Sequence, residues 1–172
     1  QDSVLGTIGD TPMVRVHASP PGVPVFAKLE SFNPGGSVKD RIGKYILERL
    51  VEQGDLPPGG TVVEPTAGNT GIGMALAARQ LDLEATFVVP EGFSEEKERL
   101  MAALGASVVH TPHDEGMDGA IRKAEAIVAD RDDAVVPQQF SNPLNVEAHY
   151  ETTGPEIFEA LDGEVGAVVA GM

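Results

Sequence analysis

From Thr61 onward the chain alternates short apolar runs with longer helical stretches, and this rhythm limits its fold more than any other feature. Thr61-Val62-Val63-Glu64, Ala85-Thr86-Phe87-Val88-Val89, Ala106-Ser107-Val108-Val109 and Ala134-Val135-Val136 read as strands, with a later one at Ala167-Val168-Val169-Ala170. Helical sequence lies between them. Thr70 to Gln80 is rich in Ala, Leu and Met. Ser94 to Leu104 has a capping serine, Glu95 and Glu96 at its positive end and Gly105 at its exit. Met117 to Asp130 places Met117, Ile121, Ala124 and Val128 on one apolar stripe. Strands that alternate with helices predict an α/β fold, a parallel sheet with helices on both faces. The first 30 residues differ: Met13-Val14-Arg15-Val16 and Val23 to Leu29 read as two strands joined by a turn at Pro20-Pro21-Gly22.

The chain's 172 residues, 41% hydrophobic, suffice for one ordinary domain with a real core. No apolar run reaches the roughly 18 residues needed to span a membrane, and no signal peptide is visible behind Gln1. The absence of cysteine removes disulfides and thiolate metal sites. The four histidines are scattered; His110 and His113 are the nearest to a metal pair, and a plain loop pair is the alternative. Asp and Glu number 27 against 12 Lys and Arg, a net charge of −15, which argues against nucleic acid as a partner. A solvated acidic face is the simple reading of this excess, and a protein of a salt-rich cytoplasm, where screening shortens self-repulsion, is the second.

Ligands of open parallel sheets gather where strands end and helices begin, and three segments suit such places. In Asn33-Pro34-Gly35-Gly36-Ser37-Val38-Lys39-Asp40-Arg41, a turn leads into a helix with Ile42, Ile46 and Leu50 on its apolar face. Lys39 falls in its first turn, where the dipole disfavours an ammonium; a neutral amine can form a Schiff base, although an exposed lysine beside Asp40 and Arg41 fits as well. In Glu64-Pro65-Thr66-Ala67-Gly68-Asn69-Thr70-Gly71-Ile72-Gly73, a strand gives way to a helix whose first N–H groups can hold an anion. Its glycines do not follow the dinucleotide-binding spacing, and a well-capped turn is the alternative. Pro137-Gln138-Gln139-Phe140-Ser141-Asn142-Pro143 offers two amides beside an aromatic ring, or simply a polar loop.

Taken in order, these three segments resemble the cysteine synthase/cystathionine β-synthase family of fold-type II pyridoxal-phosphate (PLP) enzymes, similar in fold to the tryptophan synthase β subunit. Ile8-Gly9-Asp10-Thr11-Pro12-Met13-Val14 and His149-Tyr150-Glu151-Thr152-Thr153-Gly154-Pro155-Glu156-Ile157 fit as well, so the resemblance covers nearly the whole chain. It implies that Lys39 holds PLP and takes the substrate's α-proton, and that Asn69 hydrogen-bonds the cofactor's 3′-oxygen. It also implies that Thr66, Ala67, Gly68 and Thr70 grip the amino-acid carboxylate and that Gln139 reaches the same group. The implied reaction is β-replacement on an activated serine by sulfide or a thiol, giving L-cysteine, in a cytoplasmic enzyme that is a homodimer at full length. Cystathionine β-synthase is the close alternative, and a non-catalytic module of the same fold is another.

The resemblance further implies that residues 35–140 form a smaller, mobile domain carrying the substrate loop. Residues 1–34 and 141–172 then belong to a larger PLP domain, incomplete here because the chain stops before the family's phosphate loop; the expectation is a fragment, inactive alone. Ala67 stands where many family members have serine, so one hydroxyl donor to the carboxylate is lost.

Overall fold

The computed structural model describes residues 2–17 and 22–171. Strands β1 (Met13–Val16) and β2 (Val25–Lys28) pair antiparallel as a separate two-stranded sheet. Pro20 and Pro21 of the expected turn lie outside the described residues. Helix α1 (Lys39–Gln53) follows and ends on Gly54, whose positive φ of 81° closes the last turn. Then come β3 (Thr61–Pro65), α2 (Asn69–Gln80), β4 (Glu84–Pro90), α3 (Glu95–Ala103), β5 (Ser107–Thr111), α4 (Gly116–Val128) and β6 (Ala134–Val135). Two short helices, α5 (Pro143–Ala148) and α6 (Gly154–Ala160), flank a π-helical turn at His149–Thr153. Among the described residues no helix is long and apolar enough to cross a membrane.

The four strands β3 to β6 form a parallel sheet in the order β5-β4-β3-β6, the predicted α/β architecture. Side chains alternate across it, as strand geometry requires. Val62, Phe87 and Val89 pack with α1, α2, α3 and α5 on one face, and Val63 and Val88 pack with Ala120 and Ala124 of α4 on the other. From β3 the chain winds outward through β4 to β5 and then returns to place β6 on the far side of β3. The loops that follow β3 and β6 are thereby neighbours, at the point where the strand order reverses.

Three expectations need correction. Ile121 is 41% exposed, because the buried side of α4 is carried by Ala120 and Ala124, small residues that let the helix lie close to the sheet. Ser94 occupies the N-cap position of α3, but its side chain makes no capping bond. Residues 167–170 form no strand: among the described residues no other strand lies alongside to pair with their backbone, and Val169 is 97% exposed.

Backbone contact between α1 and α2 fixes the site's first half. A Cβ on Gly73 would stand 2.6 Å from the carbonyl oxygen of Lys39, and one on Gly43 would stand 2.5 Å from the carbonyl carbon of Gly73. Only glycine fits at either position. Gly73→Ala gains about 1 kcal/mol of helix propensity but forces the two backbones apart, which costs roughly 1–3 kcal/mol. The expected outcome is a lower melting midpoint together with displacement of Lys39. A midpoint equal to or above that of the parent protein would show that the crossing can relax freely.

Candidate active site

A cavity of about 660 Å³ opens at the C-terminal ends of β3 and β6. One wall is the loop Thr66-Ala67-Gly68, the opposite wall is Gln138-Gln139-Phe140-Ser141, and Phe93, Met117, Ile121 and Val136 supply apolar surface. Four of the five expected substrate residues, Thr66, Ala67, Gly68 and Gln139, therefore meet in one place. Thr70 is buried behind them and donates its hydroxyl to Gln139 Oε1 at 2.6 Å.

Lys39 and Asn69 are not part of the cavity lining. Each is the first residue of its helix, Lys39 on α1 and Asn69 on α2. Gly73, which the Lys39 carbonyl touches, lies one turn after Asn69, so the Gly43–Gly73 crossing brings the two helix starts together. The Lys39 backbone N–H donates to Ser37 Oγ at 3.1 Å, and Asn69 is exposed. Helix α2 begins from Gly68 in extended conformation with no side chain capping it; the Gly71 N–H returns to the Gly68 carbonyl, and the N–H groups of Asn69 and Thr70 stay available to an anion. Nothing stands within 4 Å of where a Gly68 Cβ would be, which leaves that approach open.

The segment before Lys39 is held by Asn33. Its Oδ1 accepts from Gly9 N at 2.9 Å, while its Nδ2 donates to Ser37 O at 3.0 Å and to Glu30 Oε2 at 2.9 Å. Asp40 accepts from Gly35 N with one carboxylate oxygen, and the other is buried without a partner. Burial is the main reason its carboxyl is pushed up to about 6; the Gly35 bond opposes this and the charge of Glu30 adds to it. His149, half-buried, is shifted down by burial first and then by the cations Lys39 and Arg41.

Two further charged groups, which sequence reasoning did not assign a role, brace the framework around the cavity. Arg41, with a side chain 1% exposed, bridges Glu30 and Glu156 with two hydrogen bonds to each, at 2.6 to 2.8 Å. Glu64, 1% exposed at the end of β3, accepts the backbone N–H of Gln138 at 3.0 Å and of Gln139 at 3.1 Å. The available signal was a carboxylate among Val62, Val63 and Pro65, since an acid in an apolar strand must find buried donors. His110 and His113 contact Glu98 and the Glu91 carbonyl, at 3.0 and 2.8 Å. Among the described residues no group of three metal-ligating side chains forms.

The sequence pattern of the family described as pyridoxal-phosphate dependent enzyme matches residues 4–172. The chain belongs to that family. It is 49% identical over 166 residues to the O-acetylserine dependent cystathionine beta-synthase of Bacillus subtilis, covering 95% of this chain and 54% of the relative. It is 44% identical over 169 residues to a cysteine synthase of Helicobacter pylori, covering 96% of this chain and 55% of that one. Among solved structures, the cysteine synthase of Entamoeba histolytica superimposes with a TM-score of 0.92 at 37% identity, over 96% of this chain and 51% of that one. The chain thus spans about half the length of the curated relatives it matches, and its sheet and helices are those of their fold.

Proposed function

We propose that the full-length protein is a PLP-dependent enzyme that replaces the β-substituent of an activated serine with sulfide, forming L-cysteine. The observation that carries this reading is the convergence of Thr66-Ala67-Gly68 and Gln139 on one cavity, next to the helix crossing that holds Lys39. The donor set suits the cofactor: Lys39 offers a primary amine for its aldehyde and Asn69 an exposed amide for its ring oxygen. When bound, PLP supplies the electron sink for bonds broken at the α and β carbons of an amino acid.

The remaining work falls to the chain's own groups. The N–H groups at the start of α2, with Thr66 and Gln139, hold the substrate carboxylate and orient Cα toward Lys39. The Lys39 amine takes the α-proton. The Cβ–O bond breaks with release of a carboxylate, a C–S bond forms to the incoming sulfur, and the proton returns to Cα. Ala67 has no hydroxyl, so at that position only the backbone N–H serves the carboxylate. The apolar wall of Phe93, Met117, Ile121 and Val136 keeps water from the reacting carbons.

A second reading, cystathionine formation from homocysteine, is favoured by the 49% identity to the Bacillus subtilis enzyme. The test is the absorbance of the purified full-length protein. A visible cofactor band that changes with O-acetyl-L-serine and recovers on adding sulfide, with cysteine formed, is the expected result. Recovery with homocysteine but not with sulfide would favour the second reading, and a colourless protein would favour a binding module.

Three finer points belong to the same proposal. Residues 35–140 form the smaller, mobile domain, and residues 1–34 and 141–172 belong to the larger cofactor domain; Arg41 lies on the smaller side of that boundary, Glu30 and Glu156 on the larger. The full-length protein is a homodimer, as its resemblance to the family suggests. The net charge of −15 supports a home in a salt-rich cytoplasm.

A further inference from the structure

Three charged side chains line the cavity: Glu64, Lys97 and Glu125. Glu64 is occupied by the backbone N–H groups of Gln138 and Gln139. Lys97 and Glu125 have no such task. Lys97 is half-buried in the first turn of α3, where the helix dipole disfavours a cation. The carboxylates beside it are engaged elsewhere, Glu95 with Arg99 at 2.8 Å and Glu98 with His110 at 3.0 Å. Among the described residues Lys97 forms no ion pair, although the chain holds 27 acidic residues against 12 Lys and Arg. Its charge therefore adds nothing to the fold. Glu125 is exposed, one turn after Ile121 on α4, and is likewise unpaired among the described residues. The two opposite charges line one cavity and do not close on each other.

Replacement by sulfide leaves both charges without work. The serine carboxylate goes to the loop after β3 and to Gln139, and the serine amino group goes to the cofactor. Sulfide has a single heavy atom and nothing to offer either side chain. An α-amino acid that bears a thiol carries one carboxylate and one ammonium, the complement of one cation and one anion. A cavity of about 660 Å³ is large enough to enclose such a molecule beside the serine. The apolar wall of Phe93, Met117 and Ile121 suits the methylene groups between its thiol and its charged head.

We propose that Lys97 and Glu125 are specificity-determining residues that hold the carboxylate and the ammonium of an amino-acid thiol, which the site accepts as well as sulfide. This rests on the β-replacement reading given above. The thiol sulfur bonds to Cβ, from which the acyl oxygen leaves as a carboxylate, and the thiol proton passes to solvent. The step needs no oxidant or reductant.

The experiment measures kcat/KM of the full-length holoenzyme at saturating O-acetyl-L-serine with sulfide, L-homocysteine and two charge-deleted thiols. γ-Mercaptobutyrate is homocysteine without its ammonium, and mercaptopropylamine is homocysteine without its carboxylate. Lys97→Ala is expected to lower the value about tenfold for L-homocysteine and γ-mercaptobutyrate, as for loss of one hydrogen bond to a charged group. Sulfide and mercaptopropylamine should be unchanged. Glu125→Gln, at an exposed position, is expected to cost about threefold, for L-homocysteine and mercaptopropylamine alone. Lys97→Arg keeps the cation and should retain most of the homocysteine activity. Both positions reach solvent, so the substitutions are compatible with folding, and sulfide turnover by each variant confirms it. An equal fall for sulfide and L-homocysteine in Lys97→Ala, or no fall, overturns the proposal. So does a parent protein that uses sulfide but not L-homocysteine. A parent protein that uses neither defeats the functional reading, and this proposal with it.

Discussion

Lys39→Ala in the full-length protein is expected to lower turnover by about a thousandfold or more, the upper part of what a positioned acid–base group contributes. The substitution removes the primary amine of the first residue of α1, whose backbone meets Gly73 at the α1–α2 crossing. Its backbone contacts, the Ser37 bond and the approach to Gly73, do not depend on the side chain. Stability should therefore change by no more than about 0.5 kcal/mol, as for an ordinary surface change. Turnover and cofactor absorbance measured on the same preparation as a melting curve separate the two effects. Retained turnover in a normally folded Lys39→Ala protein would remove Lys39 from the chemistry. A large loss of stability would show that the helix start depends on that side chain.

Arg41→Ala is expected to produce the largest loss of stability of any single change considered, about 3–5 kcal/mol, as for removing one partner of a buried ion pair. The guanidinium is enclosed, and its loss leaves Glu30 and Glu156 facing each other with Lys28 as the remaining cation, on Glu156. Lysine is not a substitute, because a point charge cannot make the two forked pairs. Denaturant unfolding of the full-length protein measures the loss, and a change below about 1 kcal/mol would show that the cluster is solvated after all.

The same cluster gives a signed dependence on pH. Burial by itself would raise the Glu156 carboxyl, but the hydrogen bonds from Arg41 and Lys28 outweigh it and bring it down to about 2. A carboxyl lowered on folding contributes stability that is present above its unfolded value of 4.5 and is lost as pH falls toward 2. Asp40 runs the opposite way. Raised to about 6, it favours the fold below its unfolded value of 3.8, and that contribution is lost as pH climbs through 6. In Arg41→Ala the acid-side decline should flatten, while the Asp40 contribution between pH 4 and 6 should persist.

Much of the architecture is legible locally. The alternation of apolar strands with amphipathic helices predicts the parallel sheet, and most strands and helices begin and end within a residue or two of where pattern and glycine place them. The family follows from the order of three loop motifs, each of which is ambiguous by itself. Two misses share one cause. Ile121 fits a helical stripe and Ala167-Val168-Val169-Ala170 fits a strand, but whether such residues are buried depends on which element comes to lie beside them.

The sequence by itself determined the kind of chain this is: an α/β member of the pyridoxal-phosphate family, with Lys39 and Asn69 opening two helices and Thr66-Ala67-Gly68 and Gln139 on two loops. Only the tertiary structure decided that these loops face each other. That depends on β6 returning to pair beside β3, and the order of strands in a sheet leaves no local trace in any of them. The tertiary structure also decided the roles of Arg41, Glu64, Gly43 and Gly73. A buried charge is defined by partners distant in sequence, such as Glu156 for Arg41 or Gln138 and Gln139 for Glu64. A glycine in a helix shows its purpose only when another backbone is close enough to need the space.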